Sequence, residues 1–119
     1  MNILLVDDDD LILDSVPSLL ELLGHHVEVV NSGAKALAFL EAGPDPDLVI
    51  MDVSMPDMDG VATLKRLRVF KPGLPVLLAT GNVDAAVEEV TDEDPFARVL
   101  PKPFTLDQIR AMIRETASA

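Results

Sequence analysis

Cysteine is absent from this chain, and so are tryptophan and tyrosine. Without cysteine there is no disulfide framework and no thiolate chemistry, and a reducing compartment is compatible. The only aromatics are four Phe, so packing falls to aliphatic side chains, with Phe39, Phe70, Phe96 and Phe104 expected to join them. Positive charge is scarce: 9 Lys and Arg stand against 21 Asp and Glu, a formal net charge of −12. That argues against direct binding of nucleic acid, which needs a basic face. No apolar run approaches membrane-spanning length, so no membrane insertion is expected. The start, Met1-Asn2-Ile3-Leu4-Leu5-Val6, runs into four Asp. It lacks a basic region and a cleavage site, so it is not a signal peptide, and the chain reads as cytoplasmic. The acidity does not mean disorder, because 49% of residues are hydrophobic. A length of 119 residues suits one domain, 1–119, around one core.

What is present alternates. Asn2 to Val6 reads as a buried strand ending at Asp7 and Asp8. Asp9 and Asp10 suit a helix start, where free N–H groups and the dipole favour negative charge, better than they suit ligand roles. That helix runs to about Leu23, with Ile12, Val16, Leu19, Leu20 and Leu23 on one face, and Gly24 stops it. Pro17 cannot donate to the Leu13 carbonyl, so a kink or a loosened first turn is expected. His25 and His26 read as turn residues before a short strand, Val27 to Val30. Asn31 or Ser32 caps a helix through Ala42, with Leu37 and Leu40 inward and Gly43-Pro44 ending it. Leu48 to Met51 is a third strand. Val61, Leu64 and Leu67 form the apolar stripe of the next helix, and Pro72-Gly73 punctuates. Val76 to Ala79 is a fourth strand, ending at Thr80-Gly81. Asp84 to Val90 is a weak acidic helix packed through Ala85, Ala86, Val87 and Val90. Val99-Leu100 is a short fifth strand leading into Pro101-Lys102-Pro103. Thr105 and Gln108 form a capping box for a last helix with Leu106, Ile109, Met112 and Ile113 inward.

Several strands are continuous apolar runs, which implies that both faces are covered. The expected fold class is therefore α/β, a doubly wound parallel sheet. In such a sheet, strand ends of one polarity share one edge, where ligands bind. That edge collects Asp7 and Asp8, Asp52, Thr80 and Lys102. Asp52 is the centre of interest. Alone, an Asp ahead of Pro56 and Gly60 is ordinary turn chemistry. Among these neighbours it becomes a candidate nucleophile for a phosphoryl group. Three convergent carboxylates repel one another and raise at least one pKa, and a divalent cation and a lysine can relieve this. Mg²⁺ is the expected ion, since it takes oxygen ligands and keeps waters. Asp8 and Asp52 are assigned as direct ligands, Asp7 as acting through water, and the Ser54 backbone carbonyl as completing the protein share. Lys102 supplies positive charge to the phosphoryl oxygens and Thr80 a hydroxyl. These are the parts of phosphoryl transfer, with the Thr80 hydroxyl as a switch on the adjoining loop and helix.

Four segments carry a family resemblance: Leu4 to Asp9, Met51-Asp52-Val53-Ser54-Met55-Pro56-Asp57-Met58-Asp59-Gly60, Leu78-Ala79-Thr80-Gly81, and Leu100-Pro101-Lys102-Pro103-Phe104. In order and spacing the chain resembles the receiver domains of bacterial two-component response regulators, including chemotaxis-regulator-like ones. The resemblance implies a flavodoxin-like sheet in order 2-1-3-4-5 flanked by five helices, and a cis peptide between Lys102 and Pro103. It implies that Asp52 accepts a phosphoryl group, with Mg²⁺, from a sensor histidine kinase or phosphotransfer protein. Small acyl phosphates are further candidate donors. It implies a downstream output protein or domain, and it leaves a homodimer open. Departures stand out. Val99 occupies the place of a frequent aromatic, which shifts the output toward loop and helix movement. Asp92-Glu93-Asp94-Pro95-Phe96 replaces a frequent Gly-Ala turn, so a mobile fourth helix and loop are expected; otherwise the run Glu88 to Asp94 reads as a solvated face. Ser54 and Asn82 occupy positions that tune dephosphorylation in the family.

Two other functions compete. One is a Mg²⁺-dependent phosphatase with an Asp nucleophile, resembling haloacid-dehalogenase-like proteins. Those place a second carboxylate two residues after the nucleophile, where this chain has Ser54, and the chain lacks room for a substrate-covering cap. The other is a phosphorylation-independent, receiver-like interaction module, against which the intact Asp7, Asp8, Asp52, Thr80 and Lys102 count. In neither the receiver nor the module reading is the protein an enzyme, beyond its own phosphorylation and dephosphorylation.

Overall fold

The computed structural model describes residues 1–43 and 45–118, and the stop expected at Pro44 lies outside them. Five strands alternate with five helices: β1 (Asn2–Val6), α1 (Asp10–Leu22), β2 (His26–Val30), α2 (Gly33–Ala42), β3 (Leu48–Asp52), α3 (Gly60–Leu67), β4 (Val76–Thr80), α4 (Ala85–Glu93), β5 (Ala97–Pro101) and α5 (Leu106–Ser118). The sheet order is β2-β1-β3-β4-β5, with every pair parallel. This is the flavodoxin-like order expected above.

The burial pattern explains the order. Every residue of β3 and β4 is buried, as continuous apolar runs require of central strands. The edge strands β2 and β5 carry mixed patterns. Alternate residues feed two apolar layers. Leu4, Val6, Val49, Met51, Val76 and Leu78 pack with Ala36 and Leu40 of α2, Val61, Leu64 and Leu67 of α3, and Val87 and Val90 of α4. Ile3, Leu5, Leu48, Ile50, Leu77 and Ala79 pack on the opposite face with Val16 and Leu20 of α1 and Ile109 and Ile113 of α5. The capping residues behave as side-chain acceptors for free N–H groups: Asp9, Ser32, Asp59 and Asp84 each accept from the first turn of their helix. Thr105 and Gln108 exchange both bonds of the capping box. Gly24 takes φ +91° beyond α1, a conformation open to glycine at no steric cost.

Several sequence expectations need correction. Leu19 is 39% exposed, because α1 is rotated so that Leu13 packs on the sheet in its place. His26 opens β2 instead of lying in a turn, and its ring bonds Glu28 across one side of the edge strand. α4 reaches Glu93, and its Ala85 and Ala86 are exposed, since among its described residues it is Val87 and Val90 that face the core. β5 spans five residues instead of two. Phe70 and Phe96 lie largely at the surface, whereas Phe39 and Phe104 pack against the two layers. The acidic run is not wholly solvated, because Asp94 pairs with Arg68 at 2.6 Å and both side chains are mostly covered. Among the described residues, no helix is long and apolar enough to cross a membrane.

Candidate functional site

The site lies at the carboxyl edge of the three central strands and β5. Asp52 is the last residue of β3, and Asp7 and Asp8 follow β1. In register, Asp52 lies beside Ala79, and Thr80 beside Pro101, so the parallel sheet sets these side chains side by side. Carboxylate oxygens of Asp7, Asp8 and Asp52 all fall within 4.8 Å of one another. Asp7 is 2% and Asp52 7% exposed, while Asp8 faces solvent. Lys102, just past β5, donates to Asp52 Oδ1 at 3.0 Å and lies 3.6 Å from Asp7 Oδ2. The Lys102–Pro103 peptide is cis.

The electrostatic stress of three convergent carboxylates falls on Asp7. Burial pushes its carboxyl above the ordinary range, and the Asp52 and Asp8 charges add to this. The Asp9 N–H and Lys102 oppose the shift without cancelling it. Lys102 is also partly buried, which disfavours its charge. The hydrogen bond and charge of Asp52, with Asp7 behind them, outweigh that and hold the ammonium above its usual pKa. Hard oxygen donors from separate strands, two of them buried and in mutual repulsion, fit a small divalent cation such as Mg²⁺.

Local structure supports this geometry. The Asp9 N–H, released by the helix start, donates to Asp7 Oδ1 at 2.9 Å and orients it. Gly60 donates to the Val53 carbonyl at 2.9 Å. A Cβ at Gly60 would stand 2.5 Å from the Asp52 carbonyl oxygen and 2.9 Å from Val53 Cα. Only glycine lets α3 start so close behind the strand that ends in Asp52. Gly33, by contrast, lets α2 pack closely on α3, where a Cβ would meet Thr63 Oγ1 at 2.2 Å.

Of the sequence-derived site residues, Asp7, Asp8, Asp52 and Lys102 converge. Thr80 lies at the same edge and is buried, but its hydroxyl is turned onto the following loop. It donates to the Asn82 carbonyl at 2.9 Å and accepts from the Asn82 N–H at 3.1 Å. Ser54 lies two residues past Asp52, exposed, in the β3–α3 loop. Sequence reasoning overlooked the Asp9 amide as the group that orients Asp7, and the backbone clearance behind Gly60. The Asp-Gly step at the start of α3 was the available signal for the second; nothing in the sequence signalled the first.

Comparison with known proteins agrees with this arrangement. Residues 3–114 match the family described as the response regulator receiver domain. The response regulator MprA of Mycobacterium leprae (strain TN) is 39% identical over 115 residues, 96% of this chain and 50% of that protein. MprA of Mycobacterium avium (strain 104) is 37% identical over 121 residues, 98% of this chain and 52% of that protein. The chain thus spans about half the length of the curated relatives it matches. Among solved structures, a CheY-like receiver domain protein from Methanospirillum hungatei JF-1 is similar at a TM-score of 0.90 and 28% identity, over 98% of this chain and 93% of that one. The receiver domain of the sensor histidine kinase PA1611 from Pseudomonas aeruginosa PAO1 has a magnesium ion in its active site cleft. It is similar at a TM-score of 0.86 over 99% of this chain and 98% of that one, and its 22% identity bears on the fold alone. A match over nearly the whole chain, on a sheet of this order with acidic and lysine side chains gathered at one edge, places the protein in the response regulator receiver domain family of two-component signalling.

Proposed function

We propose that Asp52 is the phosphoacceptor of this receiver domain and that Mg²⁺ bound at Asp7, Asp8 and Asp52 supports the transfer. The observation that carries this is the convergence of the three carboxylates with Lys102 bonded to Asp52. The donor is a phosphohistidine on a sensor histidine kinase or phosphotransfer protein, or a small acyl phosphate. A carboxylate oxygen of Asp52 forms the new O–P bond as the P–N bond of the phosphohistidine breaks, and the electron pair returns to the leaving imidazole. Asp8 and Asp52 directly, Asp7 through water and the Ser54 carbonyl would hold Mg²⁺, which would supply charge neutralisation for the phosphoryl oxygens when bound.

The side chains divide the remaining work. Lys102 stands beside Asp52 and is charged at all working pH values, so it can follow one phosphoryl oxygen without a proton transfer. Asp7, oriented by the Asp9 N–H, would hold the ion through water. Thr80 exchanges its bonds to Asn82 for one to a phosphoryl oxygen. That releases the loop from 81 to 84 and changes the surface offered to an output partner, whether a separate protein or a second copy of this chain. The protein acts in the cytoplasm and turns over nothing except its own acyl phosphate.

The test is intact mass after incubation with acetyl phosphate and Mg²⁺. One phosphoryl group is expected on the parent and none on Asp52→Asn. An unmodified parent, with beryllofluoride and Mg²⁺ also leaving its spectrum unchanged, restores the phosphorylation-independent module. Sustained turnover of a phosphate ester supports the phosphatase.

A further inference from the structure

The two ends of α4 are held very differently. At the amino end, residues 81–86 are all exposed. Among the described residues, the side-chain ties there are the Asp84 cap on the Val87 N–H and the Thr80 hydroxyl on the Asn82 backbone. At the carboxyl end, Arg68 Nε donates to Asp94 Oδ2 at 2.6 Å. Arg68 is the residue that ends α3. Its Nη1 also donates to the carbonyls of Lys71 at 2.8 Å and Leu74 at 2.7 Å. One mostly covered guanidinium therefore joins the end of α3, the α3–β4 loop and the end of α4. Asp94 uses its other oxygen to accept from the Phe96 N–H at 2.9 Å. Its own N–H donates to the Val90 carbonyl, and its carbonyl accepts from the Ala97 N–H. The segment Asp92 to Phe96, where the Gly-Ala turn is missing, is thus fastened where the sequence suggested mobility.

We propose that Arg68 and Asp94 clamp the carboxyl end of α4, so that the switch at Thr80 displaces α4 by its amino end about a pivot at Asp94. The proposal rests on the phosphoacceptor reading for its trigger, whereas the clamp itself does not. A charge-assisted, largely desolvated pair is among the stronger side-chain bonds. Among the described residues of α4, the amino end sets Val87 in the core and the carboxyl half sets Val90 there. When the Asn82 backbone is released, the first turn of α4 keeps only the Asp84 cap and the Val87 contact among its described ties, whereas the last turn keeps the Arg68 pair. The surface that changes is then the exposed stretch from Val83 to Ala86, with the β5 side of the helix end held constant. The Val99 position needs no rotating aromatic for such a movement.

Amide hydrogen exchange on the 119-residue chain tests this. In the parent without activation, the amides from Thr91 to Asp94 should exchange at least about tenfold more slowly than those of Glu88 and Glu89. Asp94→Asn keeps the acceptor for the Phe96 N–H and removes the ion pair, and it should speed exchange at 91–94 by about tenfold or more. Unchanged protection there overturns the clamp. If that variant fails to fold, Arg68→Lys, which keeps the charge and loses the fork, should show the same change to a smaller extent. With beryllofluoride and Mg²⁺, shifts in the parent should gather at 80–88, and in Asp94→Asn they should spread through 97. Equal changes at both ends of α4 in the parent overturn the pivot and leave the phosphoacceptor intact. No change anywhere in the parent overturns the phosphoacceptor and the lever together, while the exchange data still judge the clamp.

Discussion

Asp7→Asn should make the protein more stable in the absence of divalent cations, although it removes a group from the centre of the site. The two side chains have the same shape, and the amide oxygen can keep the 2.9 Å bond from the Asp9 N–H. What changes is charge. At an effective dielectric of about 20, Lys102 at 3.6 Å attracts the Asp7 carboxylate by about 5 kcal/mol. Asp52, within 4.8 Å, repels it by about 3.5 kcal/mol or more, and solvent-facing Asp8 adds about 1 kcal/mol. These nearly cancel. The remaining term is the desolvation of a carboxylate that is 2% exposed, which is several kcal/mol for a buried ion and is only partly met by the Asp9 N–H. A gain of about 1–3 kcal/mol follows, or about 4–12 °C in Tm for a domain of this size. The sign of the pH dependence is set by the raised Asp7 pKa. The folded parent holds this proton more tightly than the unfolded chain does. The burden is therefore fully present above the folded pKa and fades as pH falls from there toward the ordinary value of 3.8. The advantage of the variant should be full at neutral pH and shrink in acid. Added Mg²⁺ should stabilise the parent by mass action and the variant much less, narrowing the gap. Urea melts in EDTA and in excess Mg²⁺, at neutral and acid pH, give all of these numbers. A variant less stable than the parent in EDTA, or equal Mg²⁺ stabilisation of both, would falsify the account of the cluster.

Three further outcomes can be checked. Lys102→Met should slow phosphoryl uptake from acetyl phosphate by about a hundredfold or more, as loss of a positioned charge in such a site typically does, measured by intact mass against time. It should also make stability more dependent on Mg²⁺, because the ion alone then offsets the carboxylates. Gly60→Ala places a methyl 2.5 Å from one backbone atom and 2.9 Å from another, neither of which can swing aside. A cost of about 1–3 kcal/mol and a comparable slowing of uptake are expected in melts and mass kinetics, and wild-type behaviour in both would show that the loop behind Asp52 is pliable. His25, whose pKa is lowered by burial and then by the Met1 amine 3.0 Å away, makes the protein lose stability as pH drops below about 6.5. His25→Gln should flatten that part of the pH–stability curve.

Much of the fold was legible because its signals are local. The runs Leu48 to Met51 and Val76 to Ala79 are apolar without alternation, and only a strand covered on both faces calls for that. The helix starts at Asp9, Ser32 and Thr105 are set by the side chain and the next turn alone, whereas the caps at Asp59 and Asp84 emerged with the structure. The candidate site was legible for a related reason. Once the strands are parallel, their ends share an edge, so Asp7, Asp8, Asp52 and Lys102 come to that edge however far apart they lie in the chain.

The rest depends on distances between segments that no periodicity reports. Whether Leu13 or Leu19 faces the sheet is decided by how α1 is rotated on it, and both fit the helical pattern. Asp94 looked like one more solvated acid in a run of acids, and only packing of α3 against the end of α4 gives it Arg68. The direction of the Thr80 hydroxyl, toward Asn82 instead of Asp52, is a rotamer chosen by the loop. By itself, then, the sequence determined the alternation of elements, the apolar strands and the residue types gathered at their ends, since these are properties of neighbours along the chain. Tertiary structure alone decided which charges meet, which are buried and which end of α4 is fastened, because those depend on contacts between groups that the chain keeps tens of residues apart.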